Sequence, residues 1–442
     1  MVHKHGIIWV ILFGVIVLMF LQLPPMAAKQ DSVIHTYSAL VEVDALAKQQ
    51  FVDLIDDDRL VEGAIRGMML QLDPYSGYIS PEELPTFERR NRGDFSGAGV
   101  EIGMQHGEIT VIAPVEGSPA ARAGVLPGDK LLSVNGRSLE GRSVFDVEEM
   151  LAGPPGSRVT LTVRHTGQND STELDVLRGP VHLKTVRGFQ RDAQGNWDYM
   201  IDPEHKVGYI RVGNFRENTI DDFDAALREL LDDGVRSLIL DLRFNPGGLM
   251  QQAIAIADCF LDGGLIVSTT TRHRAMEGYV AVREGTVGNV DLIVLINGSS
   301  ASAAEIVAGS LQARRRAVVV GERSFGKGSV QHLIHLQGHK AAVKLTVAYY
   351  RLPDGRTIHR TDKNAHTDSW GVIPDVKVVP TKEETQAILD SRRLLDAPPS
   401  EPSDDPPTSV EVLRDPQLRQ AVAIAREHAP TRLGRGEPSG RP

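Results

Sequence analysis

Apolar residues recur at three-to-four spacing through Leu40, Val43, Leu46, Phe51, Leu54 and Ile55, then Leu60, Ile65, Met69 and Leu72. That period lines one face of a helix, so residues 32–72 are predicted helical. Asp73-Pro-Tyr-Ser-Gly77 ends the run with turn formers. The pattern changes after residue 95. Short β-like runs occur at 100–102, 109–112, 130–134 and 159–163, separated by Gly117-Ser-Pro-Ala-Ala-Arg-Ala-Gly124 and Leu126-Pro-Gly-Asp129. One helix is predicted from Ser143, as cap, to Leu151, with Glu148 and Glu149 in its first turns. The result is a small β-rich module with two short helices.

From 207 to 378 strands and helices alternate. Strands are predicted at 207–212, 237–242, 292–296 and 317–320, and helices at 219–231, 250–260 and 303–311. Thr219 is the expected cap of the first helix, with Asp221 and Asp222 near its positive end. The run 237–242 is apolar enough to be buried on both faces. This rhythm predicts an α/β domain with a largely parallel sheet. Runs at 333–336 and 341–350 return to strands. Beyond Pro380 order is expected to fall off. Residues 396–407 read as an acidic, proline-rich linker. Residues 409–428 could form one helix carrying Leu413, Leu418, Ala421 and Ile424 on one face, with Pro416 set against it. The last residues, from Arg432, read as disordered.

The 442 residues are 41% hydrophobic and 24% charged, an ordinary globular composition for two or three domains. A net charge of −10 argues against a nucleic-acid binder. Arg314-Arg315-Arg316 reads as a solvated helix end. At the N-terminus Lys4 precedes an apolar run from Ile7 to Leu21, then Gln22-Leu-Pro-Pro-Met-Ala-Ala28. This describes a secretory signal peptide or an uncleaved anchor; both place the rest of the chain outside the cytoplasm. The single cysteine, Cys259, cannot form an internal disulfide and reads as a core thiol.

Candidate chemistry clusters in three places. Asn297-Gly-Ser-Ser-Ala-Ser302 joins a predicted strand to a predicted helix, where free backbone N–H groups can hold an oxyanion. On the plainer reading these serines only cap that helix, which Ser299 or Ser300 could do alone. Ser324-Phe-Gly-Lys-Gly-Ser-Val-Gln331 follows the next strand and brings Lys327 towards the same sheet edge. A lysine desolvated enough to be neutral can take a serine's proton, and Gln331 could orient its amine. Leu238-Ile-Leu-Asp-Leu-Arg-Phe-Asn-Pro-Gly-Gly248 ends a buried strand in a glycine turn that can aim N–H groups at a developing oxyanion. Asp241 and Arg243 read as a structural ion pair or cap. His332, His335 and His339 lack a carboxylate cluster and read as strand and surface histidines, so no metal and no cofactor is expected.

Leu240-Asp-Leu-Arg-Phe-Asn-Pro-Gly-Gly248, Ser300-Ala-Ser-Ala-Ala-Glu-Ile306 and Ser324-Phe-Gly-Lys-Gly-Ser-Val-Gln331, in that chain order, resemble the signature motifs of the carboxy-terminal processing proteases, exported serine endopeptidases that contain a PDZ domain. The resemblance implies an α/β protease core of the ClpP/crotonase-like kind with an inserted β-rich PDZ domain and a helical N-terminal segment. It implies Ser302 as nucleophile, Lys327 as general base and Gln331 as its orienting partner, with Gly247, Gly248 and Ala303 forming the oxyanion hole. Phe95-Ser-Gly-Ala-Gly-Val100 resembles a PDZ carboxylate-binding loop, with Gly97, Ala98, Gly99 and Val100 as the turn that binds a peptide C-terminus. Phe244 stands where the family often has Asn, and Ala304 where it often has Ser.

The implied organisation is a signal peptide or membrane anchor at 1–28, a helical segment at 29–92, a PDZ domain at 93–180, a Ser-Lys protease core at 181–380, and a linker and tail at 381–442. The implied partners are proteins or peptides with accessible C-termini, an activating adaptor and further copies of the chain, in the periplasm or cell envelope. A trypsin-like protease would need a Gly-Asn-Ser-Gly-type block, which is absent. A non-catalytic PDZ scaffold would have no use for Ser302, Lys327 and Gln331 together.

Overall fold

The computed structural model describes residues 37–92, 94–105, 107–192, 194–272, 277–282, 284–396 and 414–427. The expected signal or anchor segment, the predicted linker from 397 and the residues from Arg432 lie outside these. The chain divides into two compact units, Met1–Tyr78 and Ile79–Pro442.

In the first unit residues 37–50 are helical, and a second helix spans Asp57–Leu70. The single helix expected over 32–72 is therefore broken. Asp56 caps the second helix, accepting from the Asp58 amide at 3.0 Å, and this local hydrogen bond competes with helix continuation. The apolar residues follow the helical period, yet Leu40, Val43, Leu46, Phe51 and Leu54 are exposed.

The second unit is built on a six-stranded sheet ordered Val186–Arg187, Val207–Val212, Ser237–Asp241, Asp291–Ile296, Ala317–Gly321, Val376–Lys377. All neighbours pair parallel except the first two. Successive side chains point to opposite faces, and the sheet is covered on both. Leu238, Leu240, Leu292, Val294 and Val319 pack on one face with the helices Thr219–Asp232, Met250–Asp258 and Ala303–Ala313. Ile239, Ile293, Leu295 and Val320 pack on the other face against Leu418, Ala421, Ile424 and Ala425 of the helix Pro416–Glu427. Pro416 opens that helix, where a missing N–H does no harm, and so does not interrupt it. A further helix, Lys382–Asp396, lies where order was expected to fall off.

Two local expectations are corrected. The cap position of Thr219–Asp232 is held by Asn218, while the Thr219 hydroxyl accepts from the Arg216 amide at 2.8 Å. Arg316 is not a solvated end. Its guanidinium donates to the carbonyls of Phe260, Val287 and Val290 at 3.0, 2.9 and 2.7 Å, closing the loops between helix and sheet.

The β-rich module forms its own antiparallel sheet, ordered Val100–Gln105, Glu108–Pro114, Lys130–Val134, Arg158–Arg164, Thr172–Leu177. Helix Val144–Leu151 closes its core through Val147 and Leu151, and Ser143 caps that helix in a reciprocal box with Asp146. Strand Val100–Gln105 pairs only with Glu108–Pro114 among the described residues, so its outer edge is open. A cavity of about 260 Å³ runs along this edge, with Gly99, Val100 and Ile102 on one side and Leu151 on the other. Arg89 and Arg216 also line it.

Candidate active site

Strand Asp291–Ile296 ends at Asn297, whose side chain organises the next turn. Its Oδ1 accepts from the Ser299 and Phe244 amides at 3.1 and 2.9 Å. Ser300 is buried; its hydroxyl donates to the Leu242 carbonyl at 2.8 Å and accepts from the Asn297 amide at 2.9 Å. Ser300 is thus a tie between two strand ends, and neither it nor Ser299 stands at the helix cap. Ser302 does, with φ 55° and ψ −114°. This conformation is costly for a residue with a Cβ, about 1–3 kcal/mol, and survives only where its surroundings hold it.

Glu305 does much of that holding. It is fully buried, and Oε2 accepts from the amides of Ser302 and Lys327, each at 2.8 Å. The two backbone nitrogens therefore lie within twice 2.8 Å of each other. Oε1 accepts from the Gly326 amide at 2.8 Å and from the Ser324 hydroxyl at 2.5 Å. One carboxylate thus joins the serine turn to the lysine loop. Burial pushes the Glu305 carboxyl up to about 7, against the opposing pull of hydrogen bonds from Ser324, Gly326, Ser302 and Lys327. The sequence carried a signal for this residue: Ser302-Ala-Ala-Glu305 fits the capping-box pattern in which the third helical residue reaches back to the cap amide.

The lysine loop is tightly enclosed. A Cβ on Gly326 would stand 2.8 Å from Arg360 Cβ, and one on Gly328 would stand 2.6 Å from the His359 nitrogen. The Lys327 carbonyl accepts from the Tyr350 hydroxyl, and its side chain is half-buried. Gln331 is pinned through Nε2, which donates to the Ser329 and Thr346 hydroxyls at 2.8 and 3.3 Å.

The glycine turn sits against the serine. A Cβ on Gly247 would lie 2.7 Å from Ser302 Cβ and 3.1 Å from the Ala303 nitrogen. A Cβ on Gly248 would lie 2.1 Å from the Phe215 carbonyl oxygen. Their φ values, +102° and +140°, are in the region open to glycine. Asn245, fully buried, sets the turn. Its Nδ2 donates to the Val212 carbonyl at 2.7 Å, its Oδ1 accepts from the Gly247 amide at 2.8 Å, and its carbonyl accepts from the Ala301 amide at 2.9 Å. This corrects the role expected of Gly247. Its N–H is already committed, and its missing side chain makes room for Ser302. The amides of Gly248 and Ala303 have no hydrogen-bond partner among the described residues.

The expected carboxylate-binding turn divides similarly. Gly99 and Val100 line the groove. Ala98 is buried, and its amide donates to the Leu151 carbonyl at 3.0 Å, so that N–H is unavailable to a ligand. Gly97 bridges to Ala152. Elsewhere, Asp241 and Arg243 form the expected ion pair at 2.6 Å, fully buried. Burial pushes the Cys259 thiol up to about 12, so a thiolate is disfavoured there. His332 and His335 lie in strand Ser329–His335, with His335 exposed 3.7 Å from Glu88.

Comparison with known proteins gives this geometry its context. Residues 206–378 match Peptidase family S41, 110–165 match the PDZ domain, and 22–83 match the activating protease CtpB N-terminal domain. The "Carboxy-terminal-processing protease" of Bartonella bacilliformis is 36% identical over 355 residues, covering 78% of this chain and 76% of that protein. The chain belongs to the carboxy-terminal processing protease family. It is a serine peptidase with an S41 core and a PDZ domain. The carboxy-terminal processing proteases CtpA and CtpB of Bacillus subtilis are 34% and 33% identical, matching 75% and 71% of this chain. The chain spans 66% and 64% of those two proteins. Among solved structures, a photosystem II D1 C-terminal processing protease is 30% identical, with a TM-score of 0.43 over 76% of this chain and 86% of that one.

Proposed function

We propose that this peptidase cleaves proteins near their C-termini through a Ser302–Lys327 dyad. The observation that carries the reading is the shared anchoring of both residues on Glu305 Oε2. Neutral Lys327 takes the proton of Ser302 Oγ as Oγ attacks the scissile carbonyl carbon. The oxyanion is held by the amides of Gly248 and Ala303. The Lys327 ammonium returns its proton to the leaving amine, and the C-terminal fragment departs. Water, deprotonated by Lys327, then attacks the acyl-enzyme ester and releases the N-terminal fragment with restored Ser302. Gln331, whose Nε2 is engaged with Ser329, has its carbonyl oxygen left to accept from the lysine amine.

The PDZ groove takes the substrate C-terminus as an added strand on the open edge of Val100–Gln105. Gly99 and Val100 border the carboxylate, and Arg89 and Arg216 supply positive charge. The groove thereby regulates access to the dyad. An unfolded protein with a free C-terminal carboxylate is expected to be cleaved with kcat/KM at least about tenfold above its C-terminally amidated form, since a charge-assisted contact is lost. Equal values for the two substrates would refute carboxylate recognition.

We further propose that the chain is exported to the periplasm or cell envelope, its N-terminal apolar segment serving as signal or anchor, and that it acts as a homo-oligomer with an activating adaptor. Fractionation followed by mass spectrometry of the mature N-terminus tests export. An unprocessed chain recovered from the cytoplasm would contradict it.

A further inference from the structure

Two helices beyond the S41-matched residues converge on the strand end that leads into the glycine turn. From helix Lys382–Asp396, Arg392 donates to Asp241 Oδ2 at 2.6 Å and to the Arg243 carbonyl at 3.0 Å. Its guanidinium also lies over the Phe244 ring, 5.0 Å from the centroid. At the start of helix Pro416–Glu427, Asp415 accepts from Arg243 Nη1, with Oδ2 at 2.7 Å. The same Asp415 caps that helix, accepting from the Gln417 and Leu418 amides at 3.0 Å. Arg243 is thereby held between Asp241 and Asp415, and Gln417 adds a contact at 3.1 Å. Two carboxylates face two guanidiniums in a site where Asp241 and Arg243 are fully buried. Losing one of the four leaves a buried charge uncompensated.

The next residue, Phe244, has φ +62°. Asparagine tolerates that conformation better than phenylalanine does, so the turn begins on a strained residue. On the core side it is held by Asn297 Oδ1 on the Phe244 amide and by Asn245 on Val212. On the other side it is held by Arg392, through the Arg243 carbonyl and the Phe244 ring. Four residues after Phe244 comes Gly248, whose amide the proposed mechanism aims at the oxyanion.

We propose that Arg392 and Asp415 are positioning residues for the oxyanion turn, so that the C-terminal helices complete the active site from behind. The proposal rests on Gly248 and Ala303 forming the oxyanion hole for a Ser302 adduct. Neither residue meets substrate. Each acts through the Asp241-to-Phe244 segment, and their loss shifts an oxyanion donor without removing it.

The test uses the full chain and its Arg392→Gln and Asp415→Asn variants. kcat and KM are measured on unfolded casein, and affinity on a peptide aldehyde, whose adduct with Ser302 places an oxyanion in the same hole. The expected result is a fall in kcat on the order of tenfold for Arg392→Gln, smaller for Asp415→Asn, with KM within about twofold. Aldehyde affinity should fall in proportion to kcat, and Arg392→Lys, which keeps the charge, should recover part of both. The proposal is overturned if both variants keep wild-type kcat and aldehyde affinity. It is equally overturned if kcat falls only as far as the folded fraction measured by circular dichroism. An aldehyde that binds Ser302→Ala as tightly as wild type would instead refute the Ser302 reading on which the proposal rests.

Discussion

Ser302→Ala is expected to lower kcat/KM on the order of 10⁴-fold or more, and Lys327→Ala on the order of 10³-fold, both with little change in fold. Ser302 stands at the helix start beside Gly247 and, through Glu305, is tied to the Lys327 loop. Without it no acyl-enzyme forms, and only water attack assisted by the oxyanion donors remains. Loss of the Lys327 amine leaves Oγ protonated, which makes it a weak nucleophile at neutral pH. Alanine at 327 keeps the backbone N–H that Glu305 accepts, so the loss reports on the amine. Steady-state cleavage of casein measures both; a Ser302→Ala variant retaining a tenth of wild-type activity would refute the assignment.

The second large effect is expected at Glu305. Glu305→Gln keeps the shape but presents an NH₂ where one carboxylate oxygen now accepts two hydrogen bonds. The four donors on it come from Ser302, Lys327, Gly326 and Ser324. At least one backbone N–H must then face a donor, because only the Ser324 hydroxyl can turn to accept, and each buried mismatch costs about 1–3 kcal/mol. A displacement of about 1 Å between nucleophile and base is enough to lower kcat roughly 10²-fold. The same carboxyl gives a pH signature. Its pKa in the folded chain is about 7, above its ordinary value of 4.5. The folded state therefore binds this proton more tightly than the unfolded chain does. The stability it contributes is fully present below pH 4.5 and is lost as pH rises through 7. Thermal melts between pH 5 and 8 should show this decline in wild type and a flatter profile in Glu305→Gln. Identical profiles would show that Glu305 does not titrate in that window.

The elements and the site were legible in the chain to different depths, for physical reasons. The strand at Asp291–Ile296 and the helix at Ala303–Ala313 follow from local apolar pattern, and both were found within a residue or two. Ser302, Lys327 and the glycine turn were drawn together by topology, since parallel strands deliver their loops to one sheet edge. The helix Lys382–Asp396 escaped notice because its stability comes from distant partners: Arg392 meets Asp241 across 151 positions, and Asp396 meets Arg211 across 185. No local period encodes such pairs. Glu305 was not singled out from the sequence: its capping-box pattern points only to the helix start, and its links to Gly326 and Lys327 close over a separate loop. The break at residues 51–56 was missed because the apolar period continues through it.

The double variant Ser302→Ala/Lys327→Ala, measured for kcat/KM beside its two single variants, tests the dyad most directly. Residues that act as one unit are strongly non-additive, so the double variant should match Ser302→Ala within about threefold. A double variant lower than Ser302→Ala by the whole factor that Lys327→Ala shows alone would mean that Lys327 acts independently of Ser302, and would contradict the proposed chemistry.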